Sequence, residues 1–316
     1  NYAYFAPLSG IHQVCETETR ALADFIVAHP SIGIVFTYSA SENLLKTPKS
    51  AEGGSGRSRN LEDVHKDDAP YYQELGKAFR EALGIDKELS DARVPGAFSD
   101  WMYFHRGRLS LATPGWSPAI QLAINAKGKK PEKEEAAAQP AEESAKKDAP
   151  AEESAEEKDE KPKEEEDGEA VKEEAEFLTW LEENQYDGFL PWRSLEHPDF
   201  PGQLCEVGGF APFAKTVPPA SVRDALLDKQ AGFLVSLAGR LPRIAIAKAE
   251  AKPLGSGVYD LEIEVRNTGY LPTVLAHGVA TGEVLPTRVT LDIDDEYVLA
   301  GRRVTKLGAV RGSGGV

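Results

Sequence analysis

Long apolar runs are missing from this chain. None approaches the roughly 18 residues a membrane-spanning helix needs, so no span is expected. Cysteine is almost missing too. Cys15 and Cys205 are too few for a disulfide scaffold, and the sequence leaves open one bridge or two free thiols. Basic residues are outnumbered, 36 against 52 acidic, for a net charge of −16. That balance argues against nucleic acid as a partner, because phosphate binding needs a basic face. The deficit is uneven: residues 127–176 hold 20 acidic and 10 basic side chains, ten of the sixteen net negative charges. This segment is Lys, Glu, Ala and Pro without a single aromatic, Leu or Ile. It has too little to bury to offset its ordering entropy, and is expected to be disordered with transient helix in its Glu/Lys runs.

What is present reads as an ordered α/β protein. At 316 residues and 41% hydrophobic content the chain has room for two domains and at least one sizeable core. Residues 16–29 have acidic Glu16 and Glu18 in a first turn, then Leu22, Phe25 and Ile26 on one face, the pattern of an amphipathic helix ended by Pro30. Ile32 to Tyr38 is an uncharged β-branched and aromatic run, expected to be a strand buried on both faces. Residues 49–68 lose periodicity around Gly53-Gly54-Ser55-Gly56, a loop without the Gly-Lys-Ser/Thr ending of a phosphate-binding turn. A second helix is predicted from Ala69 to Leu83, with Tyr72, Leu75, Phe79 and Leu83 on one face and Gly84 as its stop. Order resumes at 177–181 in a short helix, then a Pro-rich aromatic stretch from Phe189 to Pro219 and a helix from Ala220 to Leu237. After Pro242, Ile244-Ala245-Ile246, residues 258–265 and residues 288–293 alternate apolar with polar positions. Short alternating strands at this spacing predict a small immunoglobulin-like β-sandwich with Ile244, Ile246, Leu261, Ile263, Val265, Val289 and Leu291 in one core.

The most specific stretch is Gly96-Ala97-Phe98-Ser99-Asp100-Trp101-Met102-Tyr103, followed by Gly107 and the strand Leu109–Thr113. It reads as a glycine turn, an Asp able to cap a short helix, a glycine stop and a strand. It resembles the Gly-x-x-x-Asp-Trp-x-Tyr helix before the last catalytic strand of zinc carboxypeptidases of the carboxypeptidase A type. Further along the same lines, Glu18 to Phe25 is similar to the helix preceding that family's zinc-binding strand, and Ile32–Tyr38 to the strand itself. Trp192-Arg193, Gly202, Cys205-Glu206-Val207-Gly208-Gly209 and Pro218-Pro219 resemble the region after the catalytic strand in large bacterial members, where a sandwich domain follows.

The resemblance implies a mixed sheet between helices, zinc as cofactor, peptides or proteins as substrates, and a secreted or periplasmic setting. It divides the chain into a first carboxypeptidase-like part at 1–126, the acidic insertion 127–176, a remainder at 177–241 and the sandwich at 242–316. It also places the third zinc ligand, a His in the family, on Ser39, and the end of the strand carrying the general base on Thr113-Pro114-Gly115. Serine is a poor zinc ligand, and proline accepts no proton. The His-x-x-Glu pair that supplies the other ligands does not occur in this chain. The reading is a metallocarboxypeptidase-type chain without zinc and without activity, or a non-catalytic peptide-binding or scaffolding protein on that fold.

Glu206 is the one carboxylate with a catalytic reading. It follows Leu204-Cys205 and precedes Gly208-Gly209, an apolar setting in which a raised pKa would suit a base. The ordinary alternative is a Glu held by backbone donors or by Arg193. Glu42-Asn43 falls at the rim of the family's site, as a substrate contact or as a polar cap on the strand end. The six histidines have no second ligand at metal-binding spacing, and Trp101, Trp116, Trp180 and Trp192 suit core packing.

Overall fold

The computed structural model describes residues 10–12, 14–50, 63–89, 94, 96–128 and 163–315. Helices and small sheets mix, so the chain is α/β. Two compact units emerge. The first gathers 1–83, 87–115 and 224–316; the second gathers 84–86 and 116–223. This partition differs from the one read from the sequence, because the residues after 242 group with the first part of the chain.

In the first unit, α1 (Thr17–Ala28) leads into β1 (Ile34–Tyr38), and α2 spans Ala69–Leu83. The short α3 (Phe98–Asp100) runs into a π-helical turn, Trp101–His105, and then β2 (Leu109–Thr113). Asp100 thus sits inside the helix rather than ahead of it as a cap. Strands β1 and β2 pair in parallel with an unbroken register from Ile34 opposite Leu109 to Tyr38 opposite Thr113. β2 is buried at every position, whereas β1 is only half-buried. The expected face of α2 is the core: Tyr72, Leu75, Phe79 and Leu83 are all buried. Phe36 of β1 sets its ring against Phe79 and against Phe233 of the long helix α6 (Ala220–Gly239). On α1 only Ile26 is buried, and Leu22 and Phe25 are exposed, so its apolar face is largely uncovered.

Strands β5 (Ile244–Gly255) and β6 (Val258–Asn267) form one antiparallel hairpin. A bulge between Ile246 and Lys248 shifts the phase by one residue, so apolar side chains stay on one face: Ile246 opposite Val265, Ala249 opposite Ile263, Ala251 opposite Leu261. The other face is a charge ladder, with Lys248 at 2.9 Å and Lys252 at 3.1 Å from Glu262. The alternation is as expected, but the cover is not. Ile244, Ile246, Leu261 and Ile263 are exposed, Ile246 to 67%, and Val265, Val289 and Leu291 are half-buried. The last strands, β7 (Thr287–Thr290) and β8 (Val304–Gly308), pair as a separate antiparallel hairpin. Between the hairpins, α7 (Ala276–Thr281) packs so closely that a Cβ on Gly107 would lie 2.6 Å from the Gly278 Cα. Only glycine fits there.

The second unit holds α4 (Pro118–Gly128), α5 (Lys163–Glu183) and the antiparallel pair β3 (Phe189–Leu195) and β4 (Cys205–Phe210). Its core is aromatic: the Phe177 ring lies 5.9 Å from Trp116, 5.6 Å from Trp180 and 5.9 Å from Phe210. The expectation of disorder from 127 to 176 is corrected at its C-terminal end, where residues 163–176 extend α5. Glu, Lys and Ala are strong helix formers, and a helix anchored by buried Phe177, Trp180 and Leu181 propagates back into them. The rest of that segment, 129–162, and the glycine loop at 51–62 lie outside the described residues.

Candidate functional site

The C-terminal ends of β1 and β2 meet where parallel strands usually deliver functional groups. The chain leaves β1 at Ser39, whose amide donates to Thr113 O at 3.0 Å. Ser39 and Thr113 are the positions that the sequence resemblance assigns to a zinc ligand and to the end of the catalytic strand. Both hydroxyls are engaged locally: Ser39 Oγ accepts from Ser41 N at 3.2 Å, and Thr113 Oγ1 accepts from Gly115 N at 3.3 Å. The turn after β2 is closed by Gly115, at φ +78°, where a Cβ would lie 2.8 Å from the Tyr38 ring. Tyr38 donates its hydroxyl to Gln230 Oε1 at 2.9 Å, and Gln230 Nε2 donates to Gly115 O at 2.6 Å. α6 is thereby tied to both strand ends.

Glu42 is the unusual group of this site. It is 8% exposed, and its Oε1 accepts from Leu44 N at 2.5 Å and Leu45 N at 2.6 Å. Among the described residues, its Oε2 is buried without a hydrogen-bond partner. Burial raises its pKa above the ordinary carboxylate value, against the pull of the Leu45 and Leu44 amides and the nearby Thr113 hydroxyl. Asn43 has a different task. Its amide donates to Ala112 O at 3.1 Å, its Oδ1 accepts from Ala112 N at 2.8 Å, and its Nδ2 donates to Ser110 O at 2.9 Å. Of the two roles read for the pair, Asn43 therefore fills the structural one, closing the far edge of β2.

A second buried cluster was not legible in the sequence. Asp68, 1% exposed, accepts from the Tyr103 hydroxyl at 2.9 Å and from the amides of Ala276 at 2.7 Å and His277 at 3.0 Å. It caps α7 from about two hundred residues away in sequence. His277 stacks on Tyr103 at 4.8 Å, and its Nε2 lies 3.0 Å from Phe104 O. Burial first, and Asp68 second, keep the Tyr103 hydroxyl protonated far above its usual range. The cluster clamps the Asp-Trp helix to the C-terminal segment, a structural use of His277.

Glu206 lies on β4 opposite Ser194, in the second unit, and its side chain is exposed. The apolar surroundings expected for it are therefore lacking, because β3 and β4 form a two-stranded ribbon with little packed upon it. Arg193 pairs with Val207 in the register. Cys15 and Cys205 are both free thiols. Of the tryptophans, Trp116 and Trp180 are buried core, while Trp192 is exposed. Among the described residues no three His, Cys, Asp or Glu side chains converge, and no helix is long and apolar enough to cross a membrane.

Comparison with known proteins touches only the C-terminal end. Residues 243–316 match a domain of unknown function, DUF8731. No curated protein and no solved structure matches the chain.

Proposed function

We propose that this chain has a carboxypeptidase-type fold whose catalytic positions are substituted, and that it binds peptide without cleaving it. The observation that carries the reading is the contact between Ser39 and Thr113. Two segments far apart in sequence, matched independently to the zinc-ligand strand and the catalytic-base strand, lie side by side and parallel. In an active site of this kind a metal-bound water attacks the scissile carbonyl, with a carboxylate as base. These residues do not fit that role. Ser39 offers a hydroxyl already engaged with Ser41, Pro114 offers no acceptor, and Glu42 spends one oxygen on two backbone amides. In the same reading, the two C-terminal hairpins are strands of a small immunoglobulin-like module, which fits the apolar run of Ile246, Val265, Ala249, Ile263, Ala251 and Leu261 along one face of β5–β6. The test is incubation with peptides bearing free C-termini, read by mass spectrometry alongside a binding titration. Binding without shortening supports the reading. Release of C-terminal residues, or no binding of any peptide, contradicts it.

A further inference from the structure

Each of the two C-terminal hairpins carries a rung on which like charges face each other. In the first, Glu250 stands opposite Glu262. In the second, Arg288 stands opposite Lys306. Side chains directly opposed in an antiparallel pair have Cβ atoms about 5 Å apart, and like charges there are destabilising. The first rung is relieved from within its own hairpin. Lys248 lies 3.1 Å from Glu250 and 2.9 Å from Glu262, and Lys252 lies 4.0 Å and 3.1 Å from the same carboxylates. Both lysines sit two residues from Glu250 along β5, one on either side.

The second rung is built differently. The positions two residues either side of it along the chain are Pro286, Thr290, Val304 and Gly308, and none of them is a charged residue type. The acids next in sequence are placed elsewhere. Glu283 lies 3.4 Å from Arg106. Asp292 is four residues beyond Arg288, about 13 Å along an extended strand, further than the screening length of about 8 Å in physiological salt. Arg288 and Lys306 are both exposed. On the next rung of the same face Thr290 stands opposite Val304, an apolar side chain that is 38% exposed.

We infer that this face of the β7–β8 hairpin docks an acidic peptide segment, whose Asp or Glu carboxylate bridges Arg288 and Lys306 as Lys248 bridges Glu250 and Glu262. The bridge is made of charge-assisted hydrogen bonds, and the Arg288 guanidinium can supply two of them side by side. Val304 sets the type of a second residue. Side chains on one face of an extended segment recur about every 6.6 Å, the spacing of successive rungs on this face. The segment therefore carries an apolar residue two positions from its acid. A nucleic-acid backbone does not fit, because two cations on a chain of net charge −16 cannot hold a run of phosphates. The hairpin belongs to residues 243–316, the segment matched to DUF8731, and its docking does not depend on the strand ends that carry the proposed function.

The test is a titration of the full chain with an end-blocked Gly-Glu-Thr-Val-Gly peptide, followed by backbone amide chemical shifts. Shifts move at Arg288, Val304 and Lys306, and binding weakens by about threefold or more as salt rises from about 50 to 300 mM. Replacing the peptide's Glu by Gln costs about tenfold in affinity, and so does Arg288→Gln or Lys306→Gln in the chain. Arg288→Glu pairs the rung internally, so it abolishes binding while raising the urea midpoint above that of the parent. Equal binding of the Glu and Gln peptides, or shifts that move only outside this hairpin, overturns the inference. Sodium acetate that reproduces the peptide's shifts at the same concentration also overturns it, assigning the rung to small anions. An unchanged or lowered midpoint for Arg288→Glu does so too, since the rung is then already satisfied within the chain. The peptide has no free C-terminus and neither cleavage nor metal is read, so failure here is distinguishable from failure of the proposed function.

Discussion

Asn43 and Ala112 exchange hydrogen bonds in both directions, the Asn43 amide donating to Ala112 O at 3.1 Å and the Ala112 amide donating to Asn43 Oδ1 at 2.8 Å. A single residue, through its backbone amide and its side chain, thus does the work of a neighbouring strand along β2. Asn43→Ala removes the acceptor for Ala112 N and a donor to Ser110 O at a buried strand. It is expected to destabilise the chain by about 1–3 kcal/mol in urea unfolding. A loss below a few tenths of a kcal/mol would show that this edge is closed by something else.

Glu42 makes stability depend on pH in a direction that can be worked out. Its folded pKa is raised by burial, so its favourable contribution is present below the ordinary carboxylate value and is lost as pH rises through the raised one. Glu42→Gln keeps the acceptor for Leu44 N and Leu45 N and removes the charge. The variant should gain on the parent from about pH 4 upward, seen as urea midpoints that diverge between acid and neutral solution. Parallel pH profiles would mean that the buried carboxyl group is no harder to ionise in the folded chain.

Asp68 should be among the most sensitive polar positions, because it satisfies one hydroxyl and two backbone amides at once. Asp68→Ala is expected to cost about 2–4 kcal/mol, with α7 released first. Amide exchange at Ala276 and His277 reports that release directly.

Much of this architecture was readable from local pattern. The face of α2, the placing of β1 and β2, and the alternation after Pro242 all follow from periods of 3.6 and 2 over a few residues. What pattern could not supply was the partner of each face. The alternating residues Ile246, Leu261 and Ile263 mark an apolar face correctly, yet periodicity does not say whether anything covers it. Asp68 and Gln230 were missed for the same reason, since their partners lie 35 to 209 residues away and leave no local spacing to detect. The helix α5 shows the converse, where anchoring by Phe177 and Trp180 overrode a composition that alone reads as disordered.

The exposed hairpin gives a contrast within one unit. Leu261→Ala and Ile263→Ala, on exposed positions, should each cost less than about 1 kcal/mol. Leu111→Ala, on the fully buried β2, should cost about 2–4 kcal/mol. Costs of the larger size at Leu261 and Ile263 would reveal a cover over this face of the hairpin.

Zinc stoichiometry measured together with C-terminal cleavage on the purified chain tests the central claim most directly. The expected result is no bound zinc after dialysis against a weak chelator, and peptides that leave the incubation at full length, because Ser39 and Pro114 supply neither ligand nor base. One zinc per chain, or cleavage abolished by Glu206→Gln or Glu42→Gln, would contradict it and make this a rewired enzyme.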